Sequence, residues 1–487
     1  MDHSELDRTA KAIEALELKK AHLLREASAV DRELRYAKSA HGKLLNEQAP
    51  IFKLPTEILS DIFMMCQKTP APRAMQLPFE VLASHVCSAW RQVAVGTALL
   101  WITIVVKVRT RHIAKKVLEW QLARVSAYLA RSATCPFTTS FDIVGPFQVD
   151  QVLDLISAHA DRWLRLSISV KNPPAATLQI WQSLHSVYAP VLEHVSIWLT
   201  KLSLGGHHLN EMEGTPLIFR GGAPSLKFVR VSGMALGCLQ PPLGLVETLH
   251  LSGHPLSYAS FRTMLDGIPN LLNLSLHRMH ITFRPGDRDC PPIVLPRLRS
   301  LRVCGNTDDE EVFTVPAHRI LLAFSAPALE SIVLKDLDAF DEQTFPTVHT
   351  LALHTCPLSA GEMFRMLRAF PALTTFRLDE SLPDILDLLG MPDGASGKPP
   401  WPKLSTLHLT DMESADVELL CEMISRRKTL GAPLERVFLD RRSRVVLRKK
   451  DRLDFLSKAV DVDRHEGLYA WPSDLRYADN EDGFCFD

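Results

Sequence analysis

Few residues that could carry chemistry in this chain stand at a spacing that chemistry can use. His207-His208 lies beside Glu211 and Glu213 in a glycine-flanked stretch, the residue types of a zinc site. Zinc needs three or four donors converging on one point. Adjacent histidines point apart, and no Cys or His stands at ligand spacing, so no metal is expected. Gly397-Lys398 has the ending of a phosphate loop, but Pro392 stands where the first loop glycine belongs and Pro399 replaces the hydroxyl that would hold magnesium. Asp461–Asp463 lacks the glycine and terminal glutamate of a calcium loop. No G-x-G-x-x-G follows a strand, and neither G-x-S-x-G nor H-E-x-x-H occurs. No nucleophile–base pair can be nominated. The expectation is a protein that is not an enzyme, with no catalytic residue, no metal and no cofactor.

Composition narrows the class further. The 487 residues are 46% hydrophobic and 23% charged, which is globular, and the net charge of −1 gives no field favouring nucleic acid or an anionic membrane. The charged start, MDHSELDRTAKAIEALELKK, lacks the apolar core of a signal peptide, and no run of about 18 apolar residues suggests a membrane span. Cys66, Cys87, Cys135, Cys238, Cys290, Cys304, Cys356, Cys421 and Cys485 are scattered and form no C-x-x-C pair. That usage fits reduced thiols in cytoplasm or nucleus.

The elements divide the chain into five stretches. Residues 1–48 contain no proline. A heptad places Leu6, Ile13, Lys20, Ala27, Leu34 and His41 at a, and Thr9, Leu16, Leu23, Val30, Ala37 and Leu44 at d. The helix is expected either to self-associate or bind a partner as a coiled coil, or to fold onto its own protein. Pro50 ends it. Residues 50–101 then read as short helices: Ile58, Leu59, Ile62 and Phe63 share one face, and Leu82, Val86, Ala89, Trp90 and Val93 another. Residues 102–146 read as a linker with first strands.

Residues 147–440 repeat the pattern P-x-L-x-x-L-x-L. It occurs as APVLEHVSI (189–197), APSLKFVRV (223–231), IPNLLNLSL (268–276), LPRLRSLRV (295–303), APALESIVL (326–334), FPTVHTLAL (345–353), FPALTTFRL (370–378) and WPKLSTLHL (401–409). DRWLRLSI (161–168), LVETLHL (245–251) and PLERVFL (433–439) are variants. Residues 149–160, 256–268, 358–370 and 415–427 between copies have helical periodicity. Strand followed by helix, stacked many times, predicts an α/β fold with a parallel sheet in an irregular solenoid.

In each copy the three apolar side chains point to the core and the intervening ones to the other face. Those outward positions include Thr248, His250, Ser252, Asn273, Ser275, His277, Ser300, Arg302, Cys304, Arg377 and His408. A grid of adaptable donors on an open face predicts protein recognition, with His250, Arg302, Arg377 and His408 among the contacts. Trp198 and Phe228 also fall outward, as binding anchors or as residues buried under a junction. Residues 441–487 are a capping segment and an acidic tail. The basic run from Arg441 to Arg452 is read as a solvated capping face or as a nuclear-import or nucleic-acid patch.

The motifs Leu54-Pro55-x-Glu57-Ile58-Leu59-x-x-Ile62-Phe63, Val86-Cys87-x-x-Trp90-Arg91 and Leu99-x-Trp101 resemble an F-box. With the repeats that follow, residues 50–470 resemble fungal F-box proteins with degenerate leucine-rich repeats. The connection Gln67–Pro78 is longer than usual for that family, and the repeats lack its regular asparagine: Asn306 fits that slot, where Cys356, His254 and Met279 stand in other copies. The resemblance implies a substrate-recognition subunit of an SCF-type cullin–RING ubiquitin ligase. Leu54, Pro55, Ile58, Leu59, Ile62, Val86 and Trp90 would bind or support the SKP adaptor, and the repeat arc would hold an unknown target protein. The alternative is an interaction scaffold with no role in ubiquitination.

Overall fold

The computed structural model describes residues 3–68, 77–108, 115–144, 149–171, 174–200, 218–233, 239–253, 255–282, 292–305, 317–337, 339–340, 342–379, 383–392 and 397–464. The chain forms two compact units, Met1–Trp101 and Ile102–Asp487. It is a mixed α/β protein with a long N-terminal helix and a long parallel sheet.

The first unit opens with α1 (His3–Gln48), which is unbroken because no proline interrupts it and alanine, leucine, lysine and glutamate dominate it. Its seam residues Ile13, Leu16, Leu23, Val30, Leu34 and Leu44 are all exposed. A single turn of 3-10 helix (Pro50–Lys53) follows, then α2 (Thr56–Lys68), α3 (Phe79–Val86) and α4 (Ser88–Gly96). Phe63 closes the core of these short helices, its ring 5.8 Å from that of Phe79 and 4.9 Å from that of Trp90. Trp101 is fully buried and donates its indole N–H to the Ala94 carbonyl at 2.7 Å.

The second unit is built on one sheet. Among the described residues it has fourteen strands, all parallel. They are β1 (Thr103–Val108), β2 (Phe137–Val144), β3 (Trp163–Lys171), β4 (His194–Thr200), β5 (Phe228–Gly233), β6 (Thr248–Ser252) and β7 (Asn273–His277). There follow β8 (Ser300–Cys304), β9 (Ser331–Lys335), β10 (Thr350–His354), β11 (Thr375–Asp379), β12 (Thr406–Thr410), β13 (Arg436–Leu439) and β14 (Asp461–Arg464). Each lies beside its neighbours in sequence. Parallel pairing requires a crossover between strands, and helices supply several: α5 (Lys115–Arg131), α6 (Val149–Ser157), α7 (Pro174–Leu184), α8 (Tyr258–Asp266), α9 (Ala317–Leu322), α10 (Ala360–Ala369), α11 (Pro383–Gly390) and α12 (Asp416–Thr429). Two further helices, α13 (Arg441–Lys449) and α14 (Leu453–Ala459), precede the last strand.

The repeated proline has a defined job. In each copy the residue before it accepts a hydrogen bond from the N–H three positions on, as in Leu226 to Ala223 (3.2 Å), Leu298 to Leu295 (3.2 Å) and Leu404 to Trp401 (2.9 Å). Proline therefore sits at the second position of a β-turn, where its fixed φ is already correct. The turn delivers the first leucine into the core and starts the strand. At α10 the helix begins with a capping box, Ser359 accepting from the Glu362 N–H and the Glu362 carboxylate accepting from the Ser359 N–H at 2.8 Å.

The sheet starts at Thr103 and ends at Arg464, so it extends beyond the repeat region on both sides. The Arg441–Arg452 run lies on α13 and the turn after it. Asp440 caps α13, Arg442 pairs with Asp411 at 2.8 Å and Arg452 with Glu418 at 3.0 Å. Residues 465–487, with the acidic tail at 477–487, lie outside the described residues.

Strand ends are crowded. Gly305 follows β8 and donates its N–H to the Lys335 carbonyl at 2.8 Å. A Cβ at this position would stand 2.1 Å from the Asp336 carbonyl oxygen. Gly305→Ala therefore forces backbone apart and is expected to cost about 1–3 kcal/mol. Gly42→Ala, in open space on α1, is expected to be neutral or to raise helicity. Urea unfolding followed by circular dichroism separates the two variants.

Candidate functional site

Two surfaces carry the candidate residues, one on each unit. On the first unit, Leu54 is extended and Pro55 leads into α2, its carbonyl accepting from the Leu59 N–H at 3.1 Å. The amphipathic spacing of α2 is split between two faces. Leu59 and Phe63 are buried against the other helices, while Ile58 and Met65 are 46% and 71% exposed with half-buried Ile62 between them. Ile58, Ile62 and Met65 are spaced by four and three residues and form one outward stripe. Leu54 (39% exposed), Pro55 and Val86 (61%) add to the exposed apolar surface of this unit.

The turn between α3 and α4 is held locally. The Cys87 sulfur accepts from the Trp90 N–H at 3.4 Å, and Arg91 donates to the Ser84 carbonyl at 2.8 Å. Trp90 is half-buried on the Phe63 ring. Of the seven residues singled out from sequence, Leu54, Pro55, Ile58 and Val86 face outward, Ile62 and Trp90 are partly covered, and Leu59 is internal support. Met65 and Leu77 are exposed apolar residues that the sequence reading passed over, and Leu99, named there only within its motif, is exposed too. Met65 was legible as the residue seven after Ile58. The segment 69–76, within the long connection between α2 and α3, lies outside the described residues.

On the second unit, register places the outward residues in three rows across the sheet. The middle row runs Ser167, Ser196, Arg230, His250, Ser275, Arg302, Val333, Ala352, Arg377, His408 and Phe438 on β3 to β13. The row before it includes Arg165, His194 and Phe228, and the row after it Trp198, His277 and Cys304. All six residues expected to contact a target thus share one face.

Their exposure differs from expectation. Phe228, His250, Arg302 and Arg377 are buried, and only Trp198 and His408 are half-buried. Neighbouring strands are about 4.8 Å apart, so flat groups in one row lie against each other. The His194 and Phe228 rings stack at 4.0 Å, and His408 on Phe438 at 4.4 Å. The Phe228 and His250 centroids are 4.9 Å apart, and the Arg230 guanidinium lies 5.5 Å from the Phe228 ring. Arg302 donates to Ser275 Oγ at 3.0 Å and reaches His250 Nδ1 at 3.4 Å. Arg377 lies 3.5 Å from His408 Nδ1. The sequence reading passed over Arg165, His194 and Arg230, although each occupies an intervening position of an early copy.

Burial sets the protonation of this face. It pushes His250 well below the usual imidazole range, and Arg230, Arg302 and His194 push it the same way. Burial, with Arg278 and Arg302, lowers His277 to about 4; its Nδ1 lies 3.1 Å from Ser252 Oγ. The Cys304 thiol is raised to about 12 by burial and by Asp336, so it stays protonated and is a poor nucleophile at neutral pH. Asp379 is the counter-case. Burial disfavours its charge, but His354 at 2.5 Å and the Thr410 hydroxyl at 2.6 Å hold the carboxyl below its ordinary range.

Among the described residues no cluster of His, Cys, Asp and Glu is arranged to hold a metal, and no helix is long and apolar enough to cross a membrane. The His207-His208 stretch lies outside the described residues. No protein-family model matches this chain, and no curated protein matches it either.

The histidines carry a sign for pH dependence. In the unfolded chain His277 takes up a proton near 6.5, while in the folded state it does so only at about 4. Between those values the unfolded state binds more protons, so stability present above pH 6.5 is lost as pH falls toward 4. His277→Asn is expected to flatten the fall in melting temperature across that window. NMR of the His277 ring is expected to show a midpoint near 4.

Proposed function

We propose that this protein is a substrate receptor of an SCF-type cullin–RING ubiquitin ligase. Residues 50–101 act as an F-box that docks on the SKP adaptor, and the second unit acts as an irregular leucine-rich-repeat-like solenoid that captures a target protein. The observation that carries the reading is the division of α2. Leu59 and Phe63 complete a closed core, yet Leu54, Ile58, Met65 and Val86 remain on the surface.

Apolar side chains held outward by a rigid helical support are what a partner's groove can use. Burying a leucine or isoleucine contributes roughly 1.5–3 kcal/mol, so a few such anchors offset the cost of association. In this reading the chain supplies no reacting group. Ubiquitin is transferred by a separate enzyme that gains its rate from proximity to the bound target. The site of action is the cytoplasm, the nucleus or both, where cysteines remain thiols.

The uncovered seam of α1 supports a second partner, another copy of this chain. Forty-six helical residues extend about 69 Å, and a seam of that length suits a coiled coil in which Lys20 and His41 select the register.

Both interfaces are testable on folded protein. Ile58→Asp with Leu54→Ala is expected to weaken SKP-adaptor binding at least 30-fold in calorimetry, equivalent to about 2 kcal/mol, with an unchanged melting temperature. Adaptor binding at wild-type affinity by that variant would falsify the docking assignment. Leu16→Lys with Leu23→Lys is expected to convert a self-associating species to a monomer in sedimentation velocity. A wild-type chain that sediments as a monomer at all concentrations removes the self-association reading.

A further inference from the structure

Helix α1 holds its whole seam in solvent. From Thr9 to Leu44 every a and d position of the heptad is exposed. The seam is uneven: Lys20, Ala27 and His41 at a, and Thr9 and Ala37 at d, interrupt a row of isoleucine, leucine and valine. In a parallel pair of copies each seam residue meets itself. Lys20 would face Lys20 and His41 would face His41 inside the seam. Ala27 and Ala37 would form two layers of facing alanines, too small to fill the space between helices. Lys19, at the flanking g position, lies at the same level as Lys20, so four ammoniums would gather at one point.

Reversing one copy removes each of these faults. The two-fold axis then crosses the rod, and a positions of one copy meet d positions of the other. With the axis at the level of Arg25 the helices overlap along their full length. Ile13 meets the partner's Ala37, Leu23 the partner's Ala27, and Leu16 the partner's Leu34, so large side chains face small ones where alanine occurs. Lys20 meets the partner's Val30, with the partner's Asp31 on its flank at the same level. Symmetry makes that ion pair twice. Rim charges do not separate the arrangements. Lys19 with the partner's Glu33 favours the antiparallel pair, Glu33 with the partner's Lys38 favours the parallel one, and Glu26 meets an acid in both. Exposed pairs of this kind contribute little. The seam decides.

We propose that α1, self-associating as described above, pairs antiparallel with α1 of a second copy, with Lys20 bonded to the partner's Asp31. The seam complements its own reversal in both volume and charge, which is why the occupant is this chain. The orientation has a functional consequence. It holds the two Gln48 ends about 69 Å apart, so the adaptor-docking stripes that follow stand at opposite ends of one rod. A parallel pair would set them side by side.

Cross-linking of the full wild-type chain reads the orientation directly. Lys11 and Lys43 are thirty-two residues apart, about 48 Å along one helix. A short lysine-reactive linker therefore joins them only between antiparallel copies. In an equal mixture of ordinary and isotope-labelled chains, mass spectrometry is expected to find mixed Lys11–Lys43 links and no mixed Lys11–Lys11 or Lys43–Lys43 links. Charge exchange gives a second readout by sedimentation equilibrium. Lys20→Asp and Asp31→Lys are each expected to weaken the dimer about tenfold, and together to restore it. In a parallel pair Lys20→Asp would instead tighten the dimer by dispersing four ammoniums. A dimer that gives mixed Lys11–Lys11 links, or one that Lys20→Asp tightens, overturns the antiparallel assignment and leaves self-association standing. A wild-type chain that stays monomeric overturns both.

Discussion

The second unit depends on in-register pairing of each strand with the next in sequence. Because the strands are parallel and aligned, leucine follows leucine along two rows on the helix side: Leu249, Leu274 and Leu301 in one, Leu251, Leu276 and Val303 in the other. Those rows are buried throughout. A slip of one residue would exchange them with the rows holding Arg230, His250 and Arg302 and place cations in the apolar layer. The register is thus enforced by the cost of its alternative, and the proline turns ahead of each strand set where it begins.

The same alignment gives the opposite face its character. Residues in one row meet at the strand spacing, so arginine, histidine and phenylalanine stack instead of spreading into solvent. His194 and Phe228 form one such pair, with His250 of the next row against the Phe228 ring, and Arg377, His408 and Phe438 form a run in the middle row. Stacking removes water from groups that water would otherwise stabilise in charged form. The lowered proton affinity of His250 and His277 and the protonated Cys304 follow from that exchange, whereas Asp379 keeps its charge against it through His354 and Thr410.

The first unit solves a different problem. Three short helices cannot bury much, and Phe63, Phe79, Trp90 and Trp101 supply most of the aromatic core they have. One face of α2 is used for that core. Among the described residues, Ile58 and Met65 on its other face stay exposed, and the proposed docking rests on that placement.

How much was legible in advance varies with the range of the interaction. The strands from β4 to β13, the helices α6, α8, α10 and α12, and the sharing of one sheet face by Phe228, His250, Arg302, Arg377 and His408 were determined by the sequence itself. Period-two alternation and proline turns are local, and they act within one repeat. The strand β2 and the role of Arg165 were faint because the chain there lacks the regular proline and leucine spacing, while His194 and Arg230 stand at outward positions of regular copies and their burial was not encoded locally. Burial of the polar face, the split of α2 into a core stripe and a solvent stripe, and the crowding at Gly305 were decided only by tertiary structure. Each depends on which side chains lie on the neighbouring strand or helix, tens of residues away in the chain, and no local pattern encodes that distance.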